Sequence, residues 1–335
     1  MAIIKIGVDL GTSDTKIYSV GSGIVLNEPT VVAVSQGNAN EVKAVGLDAK
    51  KLIGKTAENT KILFPVFEGE VVNESLATEM LSRFLKKTKC KKNFSQTVAV
   101  FSVPCGFEEV QIKKLSRVAE RAGIANAYFV EVPLLSAIGM NLPLTESTPC
   151  FLIDMGGGTT NISALSLDGI IAGISVSLGG KNIDTRLIDY VADAYGLQIG
   201  LLTAERIKTQ IGSLYEADTL STVVNGRDLE TGRPRSIVLK AVDIFKPIAE
   251  YYDKIFSLAT AVLAKLPPEV SAEIRHAGIY LSGGGSSIAG LEEYYRKKFN
   301  MAINIASEPS LSVALGLGAT VASTELLKKL SVSEV

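Results

Sequence analysis

Histidine, tryptophan and cysteine are almost missing from this 335-residue sequence, which has one histidine, His276, and no tryptophan. Its three cysteines, Cys90, Cys105 and Cys150, show no metal-ligand spacing. A single histidine leaves no material for a zinc site or a histidine-based triad. An odd cysteine count argues against a disulfide framework and for a reducing, cytoplasmic setting. An excess of one charge is missing too: 34 Lys and Arg balance 35 Asp and Glu. No global field then draws the chain to nucleic acid, and no nucleic-acid partner is expected. No apolar run is long enough to span a bilayer. The longest, around "LLSAIGMNLPLTESTPCFLI", is broken by prolines, Asn141, Thr145, Glu146 and Ser147. The opening "MAIIKIGVDLG" runs straight into a strand pattern, which fits no signal peptide. What remains is a chain 47% hydrophobic and 21% charged, a globular composition long enough for about two domains.

Apolar periodicity organises the chain as an α/β protein. "IIKIGVDL", "DTKIYSV" and "GIVLNEPTVVAVS" read as three strands separated by turns. "ESLATEMLSRFLKKTK" has helical spacing, with Leu76, Met80, Leu81 and Leu85 on one side. "TVAVFSVP" predicts a strand, "FEEVQIKKLSRVAERAG" a helix ending at Gly123, "AYFVEVP" a strand and "LLSAIGM" a helix. Farther on come the helices "KNIDTRLIDYVADAYG" and "TAERIKTQIGSLY", the latter with a threonine cap, and a hairpin in "TLSTVVNGRDLETGRPRSIVL". A long helix over about 241–266 stops at Pro267 and Pro268, and "AGIYLSGGGSSIAGLEEYYRKKF" reads strand, glycine turn, helix.

Two stretches repeat each other without a gap: "IGVDLGTSDTKIYSV" and "FLIDMGGGTTNISAL". Asp9 aligns with Asp154, Gly11 with Gly156, Thr15 with Thr160 and Ile17 with Ile162. The repeat predicts two halves, each with a mixed sheet, around a ligand cleft. Glycine turns let backbone N–H groups approach an anion, and successive N–H groups form a nest for phosphate oxygens. The hydroxyls of Thr12, Ser13, Thr15, Thr159 and Thr160 add donors, and Asp9 and Asp154 suit a hydrated Mg²⁺ between them. In a third turn, "LSGGGSS", Leu281 stands before Ser282 where the other two carry aspartate, so a flat base or ribose can lie close without a metal.

These three turns resemble the two phosphate motifs and the adenosine motif of the actin, sugar kinase and heat-shock chaperone ATPases. Within that superfamily the chain most resembles MreB-type bacterial actins. "GIVLNEPTVVAV", "AVGLDAKKLIGKT", "AIGMNLPLTEST", "VSLGGKNID" and "TAERIKTQIGS" match in order and spacing over nearly the whole length. The resemblance implies a duplicated actin-like (ribonuclease-H-like) fold. Domain I would take residues 1–145 plus about 312–335, with a small subdomain at about 33–75. Domain II would take 146–311, with a small subdomain at about 181–243. It implies ATP and Mg²⁺ in the cleft and self-assembly into protofilaments. Gly11, Thr12, Ser13, Asp14 and Thr15 would face phosphates, as would Gly156, Gly157, Gly158, Thr159 and Thr160. Asp9 and Asp154 would lie near the metal. Glu205, Arg206 and Lys208 would face ribose and base, and Gly283, Gly284, Gly285 and Ser286 would underlie the adenine.

Two places depart from the family pattern. Where MreB-type proteins usually carry Glu-Glu-Pro, this chain has Glu131-Val132-Pro133. The carboxylate that orients the attacking water is replaced by Val132, which cannot accept a proton. Glu131 is the nearest substitute, although neighbours on a strand point to opposite faces. A weak ATPase is therefore expected. Many relatives open on an amphipathic helix where this sequence opens on a strand pattern, and in "FLKKTKCKKNFSQ" Lys91, Lys92 and Phe94 form a candidate membrane loop. Each lysine near an anionic surface contributes roughly 1 kcal/mol, which would place the protein at the inner face of the cell membrane. Two other classes fit the same turns: a small-molecule kinase of this superfamily, and an assembly ATPase that does not polymerise.

Overall fold

The computed structural model describes residues 3–55, 59–88 and 97–334. Two mixed sheets built on one plan organise them. In the first, Ile4–Leu10, Asp14–Ser19 and Gly23–Pro29 form an antiparallel meander. Thr97–Val103 and then Asn126–Glu131 extend it in parallel from Ile4–Leu10, and Ser333–Glu334 closes the far edge. In the second, Cys150–Met155, Thr160–Ser166 and Gly169–Val176 form the meander, and Ile279–Ser282 and Ile303–Ile305 extend it in parallel. Even the hairpin registers agree, Leu10 opposite Thr15 and Met155 opposite Thr160. The duplication read from the sequence is thus a duplication of sheet topology.

Two smaller sheets accompany the large ones, one in each half of the chain. The strands Val32–Ser35, Asn38–Val45 and Thr60–Leu63 make one three-stranded sheet, and Leu197–Gln198, Ser221–Asp228 and Pro234–Lys240 make another. The segment "GIVLNEPTVVAVS" is therefore two strands, not one. Pro29 ends the first, and Thr30 turns inward, its Oγ1 2.9 Å from Thr15 Oγ1, before the chain enters the small sheet.

Helices form where the apolar stripe has something to cover. Glu74–Lys87 buries Leu76, Met80, Leu81, Phe84 and Leu85, and its N-cap Asn73 accepts the Leu76 N–H at 3.0 Å. Three expectations need correction. Thr203 is not a cap: the helix starts at Leu201, and Gly200 takes the cap position. The strand "AYFVEVP" ends at Glu131, and Val132 opens the helix Val132–Gly139 because Pro133 suits a first turn and not a ladder. The long helix runs Ala241–Leu263, and Pro268 does not merely stop it but starts a new helix, Pro268–Ala277. The helices Leu47–Lys50, Ser312–Ala322 and Thr324–Leu330 had no sequence assignment. Among the described residues no single helix is long and apolar enough to cross a membrane.

The two sheets have separate cores, one around Ile6, Phe101, Phe129 and Phe84, the other around Phe151, Ile153, Leu187 and Tyr252. A third cluster, with Leu134, Leu135, Leu152, Leu165 and Leu317, ties them together. Its helices, Val132–Gly139 and Ser312–Ala322, meet backbone to backbone. A Cβ on Gly139 would stand 2.7 Å from the Ser312 carbonyl carbon, and one on Gly316 would stand 2.6 Å from that of Leu135. Such contacts cannot yield without moving a helix. Gly316→Ala is expected to destabilise the fold by about 1–3 kcal/mol through overpacking. Urea denaturation against Gly37→Ala, which has open space around it, checks this; equal midpoints would show that the helices have slack.

Candidate functional site

The two hairpin turns point at each other. A Cβ on Gly157 would stand 2.6 Å from Ser13 Cβ, and a Cβ on Gly158 would stand 2.6 Å from Thr12 Cβ. Glycine is required here for the approach of one turn to the other. In the second turn the Gly156 N–H donates to Thr159 O at 2.8 Å. The N–H groups of Thr12, Ser13, Gly157, Gly158 and Thr159 meet no acceptor among the described residues. Unspent backbone donors gathered at two touching tips form an anion-binding concavity.

The hydroxyls behave differently from their sequence assignment. Thr15 and Thr160, the aligned pair, are both fully buried and spent on the chain. Thr15 Oγ1 pairs with Thr30 Oγ1, and Thr160 Oγ1 donates to Leu178 O at 2.6 Å. They hold the hairpins and do not line the concavity. Thr12 Oγ1 accepts the Gly69 N–H at 2.8 Å. That bond brings the short hairpin Val66–Phe67/Glu70–Val71 over the tips, where Gly69 also abuts Thr159 and Pro104.

The two aspartates have unlike surroundings. Asp9 Oδ1 accepts from Ser102 Oγ at 2.8 Å, and Asp9 Oδ2 lies 3.8 Å from Lys16 Nζ. Asp154 is buried, and its Oδ2 accepts from Ser136 Oγ at 2.8 Å and from Ser282 Oγ at 2.7 Å. Burial pushes the Asp154 carboxyl pKa up, against the two serine hydrogen bonds. Across the hairpin from Asp154, in the place of Lys16, stands Asn161, whose Oδ1 accepts the Cys105 N–H at 3.0 Å. Among the described residues no cluster of three or more His, Cys, Asp or Glu forms a metal cage. Two carboxylates beside an anion nest fit instead a hydrated magnesium ion carried in by phosphates.

The third turn lies against the second. Gly283, at φ +78°, approaches the backbone of Met155 so closely that a Cβ would stand 2.5 Å from the Met155 carbonyl carbon. Tyr252 OH donates to Gly285 O at 2.7 Å, and Ser286 Oγ donates to Ser282 O at 2.5 Å. Around Gly284 there is open space. Helix Leu201–Ile211 supplies Glu205 and Lys208. Lys208 Nζ lies 2.8 Å from Asp184 Oδ1 and donates to Gly180 O at 2.9 Å, beneath the second turn. Glu205 pairs with Lys50 of the first half at 2.8 Å. Arg206 is turned away from this group: its guanidinium donates to Gln210 Oε1 on its own helix and to Thr222 Oγ1 and Val223 O on the small sheet.

Glu131 stands at the N-cap position of helix Val132–Gly139 without a side-chain cap bond, and its Oε1 accepts the Gly106 N–H at 2.7 Å. Strand alternation therefore does not decide its direction. Burial, with Glu131 alongside, pushes the Cys105 thiol up to about 12, which leaves it unreactive. Lys91, Lys92 and Phe94 lie outside the described residues. Sequence reasoning did not find Ser102, Ser136, Lys50 or Lys181. Lys16 had a readable signal: it is a lysine in one copy of the repeat facing an asparagine in the other.

The MreB/Mbl protein family matches the chain over residues 3–329. The cell shape-determining protein MreB of Escherichia coli (strain K12) is 36% identical over 318 residues, 93% of this chain and 92% of that protein. The cell shape-determining protein Mbl of Bacillus subtilis (strain 168) is 32% identical over 329 residues, 98% of each. Among solved structures, MreB 5 of Spiroplasma citri bound to AMPPNP has a TM-score of 0.92 at 27% identity and covers 98% of both chains.

The buried Asp154 gives a pH signature. With its pKa raised above the ordinary 3.8, the folded state holds this proton more tightly than the unfolded chain does. The wild type therefore loses stability from this group as pH rises above about 4. Asp154→Asn keeps an acceptor for both serines and does not titrate. Its stability relative to wild type is expected to improve between about pH 4 and pH 7, as read by urea titration at each pH. Parallel profiles would show that Asp154 ionises freely.

Proposed function

The chain belongs to the MreB/Mbl family, with an actin-like fold, and on that premise we propose that it is an ATP-binding cytoskeletal protein that assembles into protofilaments. The observation that carries the nucleotide is the cluster of unspent N–H donors where the two glycine turns meet. A polyphosphate between the turns satisfies these donors. Asp9 and Asp154 would hold a magnesium ion brought with the phosphates, which would neutralise phosphate charge. Adenine and ribose are received by the open space at Gly284 and by Glu205 and Lys208 of helix Leu201–Ile211. The Spiroplasma citri relative was captured with AMPPNP, an ATP analogue, which supports the same ligand here. The actin-like fold alone would serve a small-molecule kinase equally well. The match over residues 3–329 favours the filament reading.

The site of action is the cytoplasm, with the lysine-rich segment around Lys91, Lys92 and Phe94 as a peripheral contact to anionic lipid at the inner face of the membrane. Sedimentation and light scattering across a range of protein concentrations test assembly. The pelleted fraction is expected to rise with added ATP above a threshold concentration. A chain that stays monomeric throughout supports the assembly-switch alternative.

Hydrolysis is expected to be slow. In-line attack on the γ-phosphorus needs an aimed water, and Val132, buried and apolar at the start of its helix, offers no acceptor. Glu131 is the adjacent residue in the chain, and one of its oxygens is engaged by the Gly106 N–H. A missing base is worth on the order of 10² to 10⁴ in rate. Val132→Glu is therefore expected to raise single-turnover phosphate release by at least about tenfold, with ATP affinity unchanged. No increase in a variant that still binds ATP would shift the water-aiming role to Glu131.

A further inference from the structure

Three lysines around the cleft already have carboxylate partners: Lys16 with Asp9, Lys50 with Glu205 and Lys208 with Asp184. Lys181 is the exception, with no carboxylate at ion-pairing distance among the described residues. Its Nζ donates to Thr12 O, on the first turn, at 2.7 Å. Its backbone N–H donates to Gly157 O, on the second turn, at 3.0 Å. The ammonium also stands 4.5 Å from the ring centroid of Phe64. One residue thus touches the tips of both turns and reaches the first half from the second.

The groups in direct contact with this ammonium are poor substitutes for an anion. It sits in the first turn of helix Gly180–Tyr195, the end of a helix dipole that disfavours a cation. A carbonyl oxygen and a ring face solvate it only in part. The unspent N–H groups of the two turns that it touches add partial positive charge at the same place.

We propose that Lys181 is a phosphate-binding residue of the cleft, its ammonium held on the Thr12 carbonyl and turning to the nucleotide polyphosphate that enters between the two turns. The inference rests on the nucleotide reading above and adds to it a cation that the aligned motifs do not contain. It also assigns the residue a task in closing the cleft, since a phosphate held by Lys181 and by the first turn bridges the two halves.

The titration of Lys181 supplies an independent readout. Burial holds its pKa down at about 8. Asp14 on the first turn, Asp184 on its own helix and Glu205 on helix Leu201–Ile211 pull it upward, while Lys208 pushes it down. Above about pH 8 much of the lysine is therefore neutral. A polyanion favours the charged form and raises the pKa again, so binding at such pH takes up a proton.

Isothermal titration of the full chain with ATP and magnesium, near pH 8.5 in two buffers of different ionisation enthalpy, reads this directly. Wild type is expected to take up a fraction of a proton. Lys181→Met is expected to bind roughly 10- to 100-fold more weakly, the range for a lost charge-assisted hydrogen bond, with that uptake gone. Lys181→Arg, which keeps the charge and does not titrate, is expected to recover most of the affinity without the uptake. Wild-type affinity and proton uptake in Lys181→Met would overturn the inference and leave the nucleotide reading standing. A wild type that binds no ATP would overturn both.

Discussion

The organisation of this cleft depends on backbone meeting backbone where no Cβ intervenes. Gly157 and Gly158 let the second turn touch Ser13 and Thr12 of the first. Gly179 then packs against the peptide between Gly157 and Gly158, and Gly180 and Lys181 donate their N–H groups to Gly156 O and Gly157 O. The start of helix Gly180–Tyr195 is thereby fixed under the second turn, and Lys181 is delivered to the first. On the other side Gly283 presses on Met155, so the third turn is located by the same device. A side chain at any of these positions would separate elements before it touched a ligand. The glycines thus carry two demands: they open the turns to an anion, and they set the spacing between turns.

That double demand explains what the sequence made legible. Asp9 and Asp154, Gly11 and Gly156, Thr15 and Thr160 align because the two hairpins keep the same register, and register follows from alternation and turn length. Both sheets, most helices and the three turns follow from such local patterns. The pairing of distant groups does not. Ser102, Ser136 and Ser282 become partners of the aspartates only through sheet order and helix packing, and a serine carries no local signal for that. The aligned threonines misled for a related reason. A hydroxyl beside a glycine turn suits a ligand and a neighbouring carbonyl equally well, and here Thr30 and Leu178 O take them. At Glu131 the alternation argument failed because a proline two residues on converts strand to helix.

Duplication has not produced two equal half-sites. In the first half the aspartate faces a lysine and a half-open hydroxyl network. In the second it is buried, held by two serines, with a neutral asparagine spent on the Cys105 N–H. Charge is therefore concentrated on the first hairpin, and the second contributes dry, fixed geometry. Lys181 adds a further charge at the first turn, supplied from the second half.

The fixed geometry of the second half has a further consequence through Ser136. This serine lies within helix Val132–Gly139, one turn beyond Glu131 and Val132, and donates to Asp154 at the base of the second turn. Ser282 closes the triangle, 3.0 Å from Ser136 and 2.7 Å from Asp154, and leads directly into the third turn. One carboxylate oxygen thus joins the second turn, the third turn and the helix that begins at Val132. The same helix meets Ser312–Ala322 through Gly139 and Gly316 with no space between backbones. A close-packed contact of this kind shifts as a unit or not at all. A displacement of the second turn would therefore be felt by helix Val132–Gly139 and its neighbour together, and both helices belong to the cluster that joins the cores of the two sheets.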